Sequence, residues 1–329
     1  MTGRCVVSGA AGFVGRALLV APAGASSWTG WVRREPVRRV PGVEYVSVED
    51  FSAAGWQPPD LTGVDAVVHT AARVHVMNDS SANPLAEFRR VNVDATRALA
   101  EAAARAGVRR FVYLSSIKVL GERTLPGQPV GADEAPRPSD PYGISKLEAE
   151  TLLRRIASES QLEVVVIRPP LMYGAGVRAN FLRMMRWVHR GVPLPFGAIH
   201  NARSLAGLDN VVDLILRCID HPAAANQIFN VSDGEDVSTS DLLRRIARAF
   251  GLRSRLVPVP ARVLSAGAAL LGMKSEMSRL CESLQVDIAK TRERLAWSPP
   301  VNLDEGLRRA AGAFLAGEAV ARKRGTPAL

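Results

Sequence analysis

Gly9-Ala10-Ala11-Gly12-Phe13-Val14-Gly15 follows a short apolar run, Arg4-Cys5-Val6-Val7-Ser8, that is typical of a buried strand. Glycine permits a tight turn between a strand and a helix and lets a ligand approach the backbone closely. The first amide groups of the helix then favour a negatively charged ligand. The stretch therefore predicts a cradle for a dinucleotide pyrophosphate, although an ordinary strand–helix turn could have the same sequence. The predicted cofactor contacts are Gly9, Gly12, Phe13, Val14 and Gly15.

The composition is that of an ordinary globular protein, with 47% apolar and 22% charged residues in a chain of 329. This length is enough for one large domain or two small ones with a sizeable core. Three scattered cysteines without metal spacing argue against a disulfide framework or a metal site, and they fit a reducing cytoplasm. No signal peptide precedes the first strand, so we expect a cytoplasmic protein without an integral membrane segment.

The formal net charge is +10, and nearly all of the basic residues are arginines spread along the whole chain. Such an excess suits anionic, phosphorylated ligands or an acidic membrane surface, whereas arginine-rich codon usage would explain it without any function. No nucleic-acid motif accompanies the charge, so we expect no nucleic-acid partner. The most apolar late stretch, 263–273, is too short to span a bilayer. It is predicted to be a buried helix, with a docking surface as the alternative.

Strand-like and helix-like segments alternate over the first two-thirds of the chain, which predicts an α/β fold with a Rossmann-like, doubly wound parallel sheet. Several strand candidates are nearly continuous apolar runs, as strands buried on both faces are. Helices are predicted at 85–106, 142–158, 240–250 and 303–315. The strand candidates are Cys5–Ser8, Trp28–Val32, Val43–Val48, Ala66–His69, Arg110–Leu114, Glu163–Arg168 and, returning to the sheet late, Gln227–Val231.

The pattern becomes less regular from Pro169 onward, where proline and glycine interrupt it. We predict a dinucleotide-binding Rossmann domain over 1–170 plus about 207–232. A smaller, mostly C-terminal α/β substrate-binding domain is predicted over about 171–206 and 233–320, with a tail at 321–329. The segment between the glycine turn and the second strand is rich in Ala, Gly and Ser and contains a proline, so the first helix is expected to be short or frayed.

Tyr142-Gly143-Ile144-Ser145-Lys146 places a tyrosine and a lysine four residues apart, on one face of a helix. A neighbouring ammonium stabilises a phenolate, so Lys146 is expected to lower the pKa of Tyr142 from about 10 towards neutrality and to make it a proton shuttle. Ser115 and Ser116 end a predicted strand, where this fold binds ligands. Taken alone, the tyrosine and lysine could be a pair on the protein surface, and the two serines could be ordinary turn residues. Their order and spacing after the glycine turn favour a catalytic site.

These pieces together resemble the extended short-chain dehydrogenase/reductases, in the NAD(P)-dependent epimerase/dehydratase group that acts on nucleotide sugars. The similarity runs nearly end to end and includes His69-Thr70-Ala71-Ala72, Asn92 and Arg168-Pro169-Pro170-Leu171-Met172-Tyr173-Gly174. The resemblance implies that Ser116 orients the substrate, that Tyr142 is the acid/base and that Lys146 also holds the nicotinamide ribose. It implies further cofactor-site residues, of which Asn92 would support the catalytic helix or merely pack there: Asp50 by the adenine, Ala71, Ala72, Asn92 and Pro169.

The later segments resemble the nucleotide-sugar pocket of the same family. By that resemblance Asn180, Arg203 and Arg279 would contact the diphosphate of a UDP-sugar substrate. A guanidinium suits a pyrophosphate because its planar fork donates two hydrogen bonds, although any single arginine here could equally be a solvated surface residue. The resemblance also implies a homodimer in which the helices at 85–106 and 142–158 pack against a partner's copies.

The residues after the catalytic serine bear on the reaction. Related dehydratases carry Asp-Glu there, whereas this chain has Ile117-Lys118, which disfavours dehydration. Two reactions remain: reduction of a UDP-4-keto-6-deoxy-N-acetylhexosamine, our first expectation, and 4-epimerisation of a UDP-hexose or UDP-N-acetylhexosamine. The stretches 73–77 and 116–119 resemble the bacterial surface-polysaccharide branch, which contains such reductases. A non-catalytic NAD(P)-binding sensor is a distant alternative, because such proteins commonly lack the Tyr/Lys pair.

The end of the second strand bears on the cofactor. Arg33 and Arg34 there suit the 2′-phosphate of NADP, whereas an acidic residue at this place binds the ribose hydroxyls of NAD. The two arginines therefore favour NADP(H), whereas Glu35, which follows them directly, keeps NAD(H) possible.

Overall fold

The computed structural model describes residues 3–21, 27–51, 53, 55–74, 83–270 and 274–323 of the chain. Ten strands lie in these residues and form two sheets. They are β1 (Arg4–Ser8), β2 (Ser27–Val32), β3 (Val43–Ser47), β4 (Ala66–His69), β5 (Arg110–Leu114), β6 (Glu163–Arg168), β7 (Leu171–Tyr173), β8 (Arg203–Gly207), β9 (Gln227–Asn230) and β10 (Asp236–Val237).

The main sheet has seven strands in the order β3-β2-β1-β4-β5-β6-β9, and every pair in it is parallel. Strand order reverses between β1 and β4, and this reversal creates the crevice in which doubly wound folds bind ligands. The strands β4 and β5 are buried along their whole length, as their apolar sequences predict. The predicted fold class is therefore confirmed, including the late return of the chain to the sheet as β9.

The helices of the described chain cover both faces of the main sheet and also pack around the small sheet. In chain order they are α1 (Phe13–Val20), α2 (Pro84–Arg89), α3 (Ala95–Arg105), α4 (Pro141–Ser158), α5 (Ala179–His189), α6 (Leu208–Asp220), α7 (Thr239–Ala249), α8 (Ala261–Leu270), α9 (Lys274–Cys281), α10 (Ala289–Leu295) and α11 (Leu303–Lys323).

Each face of the main sheet has its own apolar core. Leu18 of α1 and Leu214 of α6 belong to the core on one face, while Leu99 of α3 and Leu153 of α4 belong to the core on the other. A third core lies around the small sheet of β10, β8 and β7, where α5, α7 and α11 pack together. The predicted domain limits stay a prediction, although the second sheet and the third core are built from the later part of the chain.

Three predicted helices differ from those in the structure. The predicted helix at 85–106 is interrupted by one π-helical turn at Arg90–Asp94, for which no glycine or proline gave a signal. The helix predicted at 303–315 continues to Lys323 as α11, whereas the first helix is short, at eight residues, as expected. The prediction of a buried helix at 263–273 is wrong for its described part, because the Val263 side chain in α8 is 59% exposed. Only Ala261 and Leu264 of its first residues pack on the third core.

Some predicted features fall partly on residues that the structure does not describe. Residues 75–77 of the polysaccharide-branch stretch, the last residues 271–273 of the apolar segment and the end of the predicted tail, 324–329, lie outside the described residues. Within the described chain, none of the helices combines the length and the apolar character required to cross a bilayer.

Candidate active site

The glycine turn after β1 has a backbone conformation that favours glycine. Gly9 has φ +75°, a value that side chains disfavour, and its carbonyl accepts a 2.8 Å hydrogen bond from the Gly12 amide. A methyl group on Gly15 would lie 2.4 Å from the Gly9 carbonyl oxygen, so the first turn of α1 packs directly on the loop. A methyl group on Gly9 would lie 2.7 Å from the Ala71 amide. The turn is therefore pressed between α1 and the end of β4.

This arrangement fits a dinucleotide. Gly12 is the N-cap of α1 and has no side chain to occupy the first amide groups of the helix, which can bind an anion. Ala71 and Ala72 extend from β4 beside the turn and present only small side chains. The glycine turn and the two alanines thus follow the carboxyl ends of the neighbouring strands β1 and β4, and their assignment as cofactor contacts stays a prediction.

The predicted catalytic residues converge at the carboxyl end of β5. Ser116 is the second residue after β5, and Tyr142 lies in the first turn of α4. Asp140 caps this helix by accepting a 2.7 Å hydrogen bond from the Gly143 amide. Ser116 and Tyr142 line the same cavity, whose volume is about 330 Å³. Lys146 is buried one helical turn further on, where its Nζ atom donates a 2.8 Å hydrogen bond to the Leu114 carbonyl. Its Nζ lies 6.0 Å from the Tyr142 ring centre.

The acidity predicted for Tyr142 is wrong for the polypeptide alone. Burial raises the pKa of Tyr142 to about 12; a hydrogen bond with Ser116 opposes this effect, and the charge of Asp140 adds to it. Burial likewise lowers the pKa of Lys146 to about 7, although Glu150 opposes the change. The spacing correctly placed the two side chains on one face of the helix, but the sequence did not reveal how strongly both would be desolvated.

Asn92 supports the catalytic helix through hydrogen bonds. It lies in the π-helical turn, 1% exposed, and its amide nitrogen donates 3.0 Å hydrogen bonds to the Arg73 carbonyl and to the Ser145 hydroxyl. Its amide oxygen accepts a 2.8 Å hydrogen bond from the Arg73 backbone. The π-helical turn thereby connects the segment after β4 with the helix that carries Tyr142 and Lys146. Both hydrogens of the Asn92 amide bond to protein atoms, which favours a positioning role.

A buried ion pair holds the strand ends beneath the site. Glu150 accepts 2.9 Å and 2.5 Å hydrogen bonds from Arg168, and both side chains are almost fully buried. Ser115 donates a 2.5 Å hydrogen bond to the same carboxylate. The Pro169 carbonyl then accepts a 3.0 Å hydrogen bond from the Ile117 amide. The helix α4 is therefore attached to the ends of both β5 and β6, beside the predicted catalytic residues.

The three residues predicted for the nucleotide-sugar diphosphate line the same cavity as Ser116 and Tyr142. Arg203 donates a 3.0 Å hydrogen bond to the Glu282 carbonyl, and burial lowers the pKa of its guanidinium. Arg279 lies 3.7 Å from Glu122, and Asn180 accepts a 3.1 Å hydrogen bond from Arg183. The structure therefore brings together, at one cavity, side chains that are far apart in sequence.

The cavity also has lining residues that the sequence analysis did not select. Arg178 and Arg183 flank Asn180, and the Arg183 guanidinium lies 5.3 Å from the centre of the Trp187 ring. Lys118 forms ion pairs with Glu122, at 2.8 Å, and with Asp140. No sequence signal distinguished these arginines from the others of an arginine-rich chain. The position of Lys118, two residues after Ser116, was the only signal available for it.

The arginines at the end of β2 are both exposed. Arg33 forms a 3.0 Å ion pair with Asp50, the residue predicted to lie by the adenine. Glu35 is in turn paired with Arg39 at 2.5 Å. The predicted adenine-side residues Arg33 and Asp50 are therefore neighbours, but an acidic partner already faces the guanidinium that was expected to select NADP.

The model of the NAD dependent epimerase/dehydratase family matches residues 5–232. This match runs from β1, through the glycine turn and the catalytic residues, to the end of β9. It covers more than half of the chain.

The chain is also similar to individual proteins over nearly its full length. It is 45% identical to a UDP-glucose 4-epimerase of Vibrio cholerae, across 94% of this chain and 95% of the relative. It is 27% identical to a GDP-6-deoxy-D-mannose reductase of Pseudomonas aeruginosa, across 94% and 96%. Among solved structures, MoeE5 in complex with UDP-glucuronic acid and NAD superposes with a TM-score of 0.76 and 25% identity, covering 95% of this chain and 99% of that one.

Proposed function

The chain belongs to the NAD-dependent epimerase/dehydratase family, and from this premise we propose that it moves a hydride at C4 of a UDP-sugar and so inverts that carbon. One observation carries the proposal: Ser116 and Tyr142, above the buried Lys146, share their cavity with Asn180, Arg203 and Arg279. Proton-transfer groups thus face the same space as groups that suit a diphosphate.

The roles follow from the geometry. A bound nicotinamide would accept the hydride from C4 and return it to the other face of the resulting ketone. Tyr142 removes the proton from the C4 hydroxyl and gives it back, and Ser116 orients that oxygen. Lys146 has its Nζ atom 6.0 Å from the ring centre of the phenol, is increasingly protonated below a pH of about 7, and would bind the nicotinamide ribose. Because burial raises the pKa of Tyr142 to about 12 in the polypeptide alone, the positive charge of an oxidised nicotinamide would favour its ionised form.

Epimerisation is preferred to the reduction that the sequence first suggested. The relative that is 45% identical over 94% of this chain is a UDP-glucose 4-epimerase. In addition, Arg33, the guanidinium that would bind the 2′-phosphate of NADP, is paired with the Asp50 carboxylate at 3.0 Å, which supports NAD(H).

Reduction of a UDP-4-keto-6-deoxy-N-acetylhexosamine with NADPH is the second candidate. It is favoured by the two exposed arginines at the end of β2 and by the similarity to a GDP-6-deoxy-D-mannose reductase. The role in surface-polysaccharide synthesis stays a prediction with either reaction.

Incubation with UDP-glucose and UDP-N-acetylglucosamine tests the proposal, with NMR detection of the C4 epimer. Conversion without net change in cofactor absorbance is expected. Consumption of NADPH with the 4-keto-6-deoxy sugar, together with no epimer formation, would establish the reductase instead. Tyr142→Phe should lower turnover by about 10²- to 10⁴-fold. Tyr45→Phe is the matched control, since that hydroxyl accepts a 3.3 Å hydrogen bond from the Val40 amide and Tyr45 does not line the cavity.

We further propose a homodimer through α2, α3 and α4. An open groove between these helices is lined by apolar and charged side chains, and Arg89 bridges α2 and α4 through a 2.7 Å ion pair with Glu148. Light scattering coupled to size-exclusion chromatography should give twice the chain mass. Leu147→Glu in the groove should give the monomer mass.

A further inference from the structure

Two long segments of the chain, 164–208 and 242–275, contain no aspartate or glutamate, and together they carry twelve arginines and one lysine. The fold brings them side by side. The Leu194 amide donates to the Arg255 carbonyl at 2.9 Å, and the Gly197 amide donates to the Val257 carbonyl at 2.9 Å. A further β-bridge joins Ala198 to Pro260. Parts of both acid-free segments therefore meet at one continuous surface.

Six exposed arginines of these two segments lie outside the cavity of the candidate active site. The Arg244 guanidinium donates to the Gly197 carbonyl at 3.3 Å, and that of Arg255 donates to the Gly191 carbonyl at 3.4 Å. None of the six forms an ion pair with a carboxylate in the part of the chain that the structure describes. Arg245, by contrast, has three acidic partners on the neighbouring side of α7. The six are Arg190, Arg244, Arg248, Arg253, Arg255 and Arg262.

Aliphatic side chains are exposed among these arginines. Val257 is 47% exposed and Val263 is 59% exposed, and Val192 and Leu252 are exposed to a similar extent. These four are among only ten large hydrophobic side chains that are exposed in the described residues. After Arg262, moreover, the sequence contains no charged residue before Lys274, the first residue of α9. Clustered exposed apolar side chains rimmed by polar ones mark an interaction surface.

We propose that these six arginines and four aliphatic residues, the basic face, dock the protein on an anionic phospholipid bilayer. Such an interface attracts arginine side chains electrostatically and takes up aliphatic side chains at the level of its headgroups. A nucleic acid would use the positive charge but would gain nothing from exposed valines, since its bases stack on aromatic rings. A second copy of the same face would place six cations against six cations.

The basic face is separate from the candidate active site. None of its ten residues lines the cavity that contains Ser116 and Tyr142, although α7 contributes other residues to that cavity and Arg190 directly follows α5, which also lines it. The proposal therefore does not rest on the proposed function, and variants of the basic face should leave turnover in solution unchanged.

Co-sedimentation of the full chain with vesicles tests the proposal. Binding is expected to vesicles of equal parts phosphatidylglycerol and phosphatidylcholine, but not to phosphatidylcholine alone, and it should weaken as salt rises. Arg253→Glu with Arg262→Glu should weaken binding by about 25-fold or more, since each basic residue near such a surface contributes about fivefold. Arg38→Glu with Arg294→Glu, two exposed sites elsewhere, makes the same change in net charge and should have little effect.

The aliphatic part is tested separately. Val257→Ser with Val263→Ser should weaken binding by about fivefold at every salt concentration, because burial of apolar groups is not screened. Equal losses for the two arginine-pair variants would overturn the proposal, since binding would then follow net charge alone. Equal binding to neutral vesicles would also overturn it. The proposal would likewise be overturned if the protein failed to bind vesicles and instead self-associated, or bound duplex DNA tightly, in a way that the Arg253/Arg262 double variant abolished.

Discussion

Lys118 forms an ion pair with Asp140, whose other carboxylate oxygen caps the helix that begins one residue before Tyr142. The lysine thus partly neutralises a carboxylate whose charge raises the pKa of the Tyr142 phenol. It also contacts Glu122, which lies near Arg279 across the cavity. A residue with no role in the proton transfer itself therefore acts on the group that makes the transfer.

Lys118→Met should move the rising limb of the kcat/KM pH profile to higher pH, by roughly 0.5 unit or more. The reason is that Asp140 loses its cationic partner and its charge then opposes ionisation of Tyr142 more strongly. Lys118→Arg should restore the original profile. Lys290→Met, which removes an ion pair with Asp133 far from the cavity, is the control. An unchanged profile in the Met variant would contradict this coupling.

Lys146→Met should abolish activity and also change how stability depends on pH. The pKa of Lys146 is about 7 in the folded protein and about 10.5 in the unfolded chain. Between these values the unfolded state binds more protons, so this group makes the free energy of unfolding rise with pH. The contribution of Lys146 to this rise in the free energy of unfolding is complete above its pKa in the unfolded chain and absent below its pKa in the folded protein.

Urea unfolding of both proteins between pH of about 7 and 9 measures this effect. The wild-type protein should gain stability over that interval relative to the Met variant. Parallel curves would show that the ammonium is not penalised by burial, and the assigned environment of Lys146 would then be wrong.

Removal of either partner of the Glu150–Arg168 pair should destabilise the protein by about 3 to 5 kcal/mol, because it leaves an unpaired charge in the core. Glu150→Met with Arg168→Met should cost less than the sum of the single changes. Some cost should remain, since Ser115 and the Ala132 carbonyl also lose their partners. Urea denaturation of the four proteins gives the double-mutant cycle, and strictly additive losses would exclude a coupled pair.

Asp50→Asn should shift the cofactor preference towards NADP(H), because Arg33 would no longer face a carboxylate. We expect the ratio of kcat/KM for NADP(H) to that for NAD(H) to rise about fivefold. The control is Glu44→Gln, which removes the exposed partner of Arg4 near the amino ends of β1 and β3, at the opposite end of the strands. If the ratio stays the same, the end of β2 does not select the cofactor.

The sequence predicted correctly those elements whose residues are suited to a single local structure. Apolar runs such as Val164–Ile167 fit a strand buried on both faces, and the glycine turn permits a backbone path that other residues would block. The four-residue spacing correctly placed Tyr142 and Lys146 on one face. The cofactor, substrate and catalytic roles of these residues stay predictions.

What the sequence could not give depends on the surroundings of each residue. The pKa of Tyr142 and of Lys146 follows from burial, which spacing alone does not report. The pairing of Arg33 with Asp50 joins residues seventeen positions apart, and it weakened an argument based on Arg33 alone. The exposure of Val263 went against its apolar sequence, because the fold offers that part of α8 little to pack against.

The order in which the chain builds its two sheets limits how the protein can change. It leaves the seven-stranded sheet after β6, returns as α6 and β9, and leaves again for β10. A graft that exchanged the small sheet for that of a relative would have to rejoin the backbone at several internal junctions. New sugar preferences in this scaffold should therefore arise through point substitutions around the cavity rather than by shuffling of a terminal cassette.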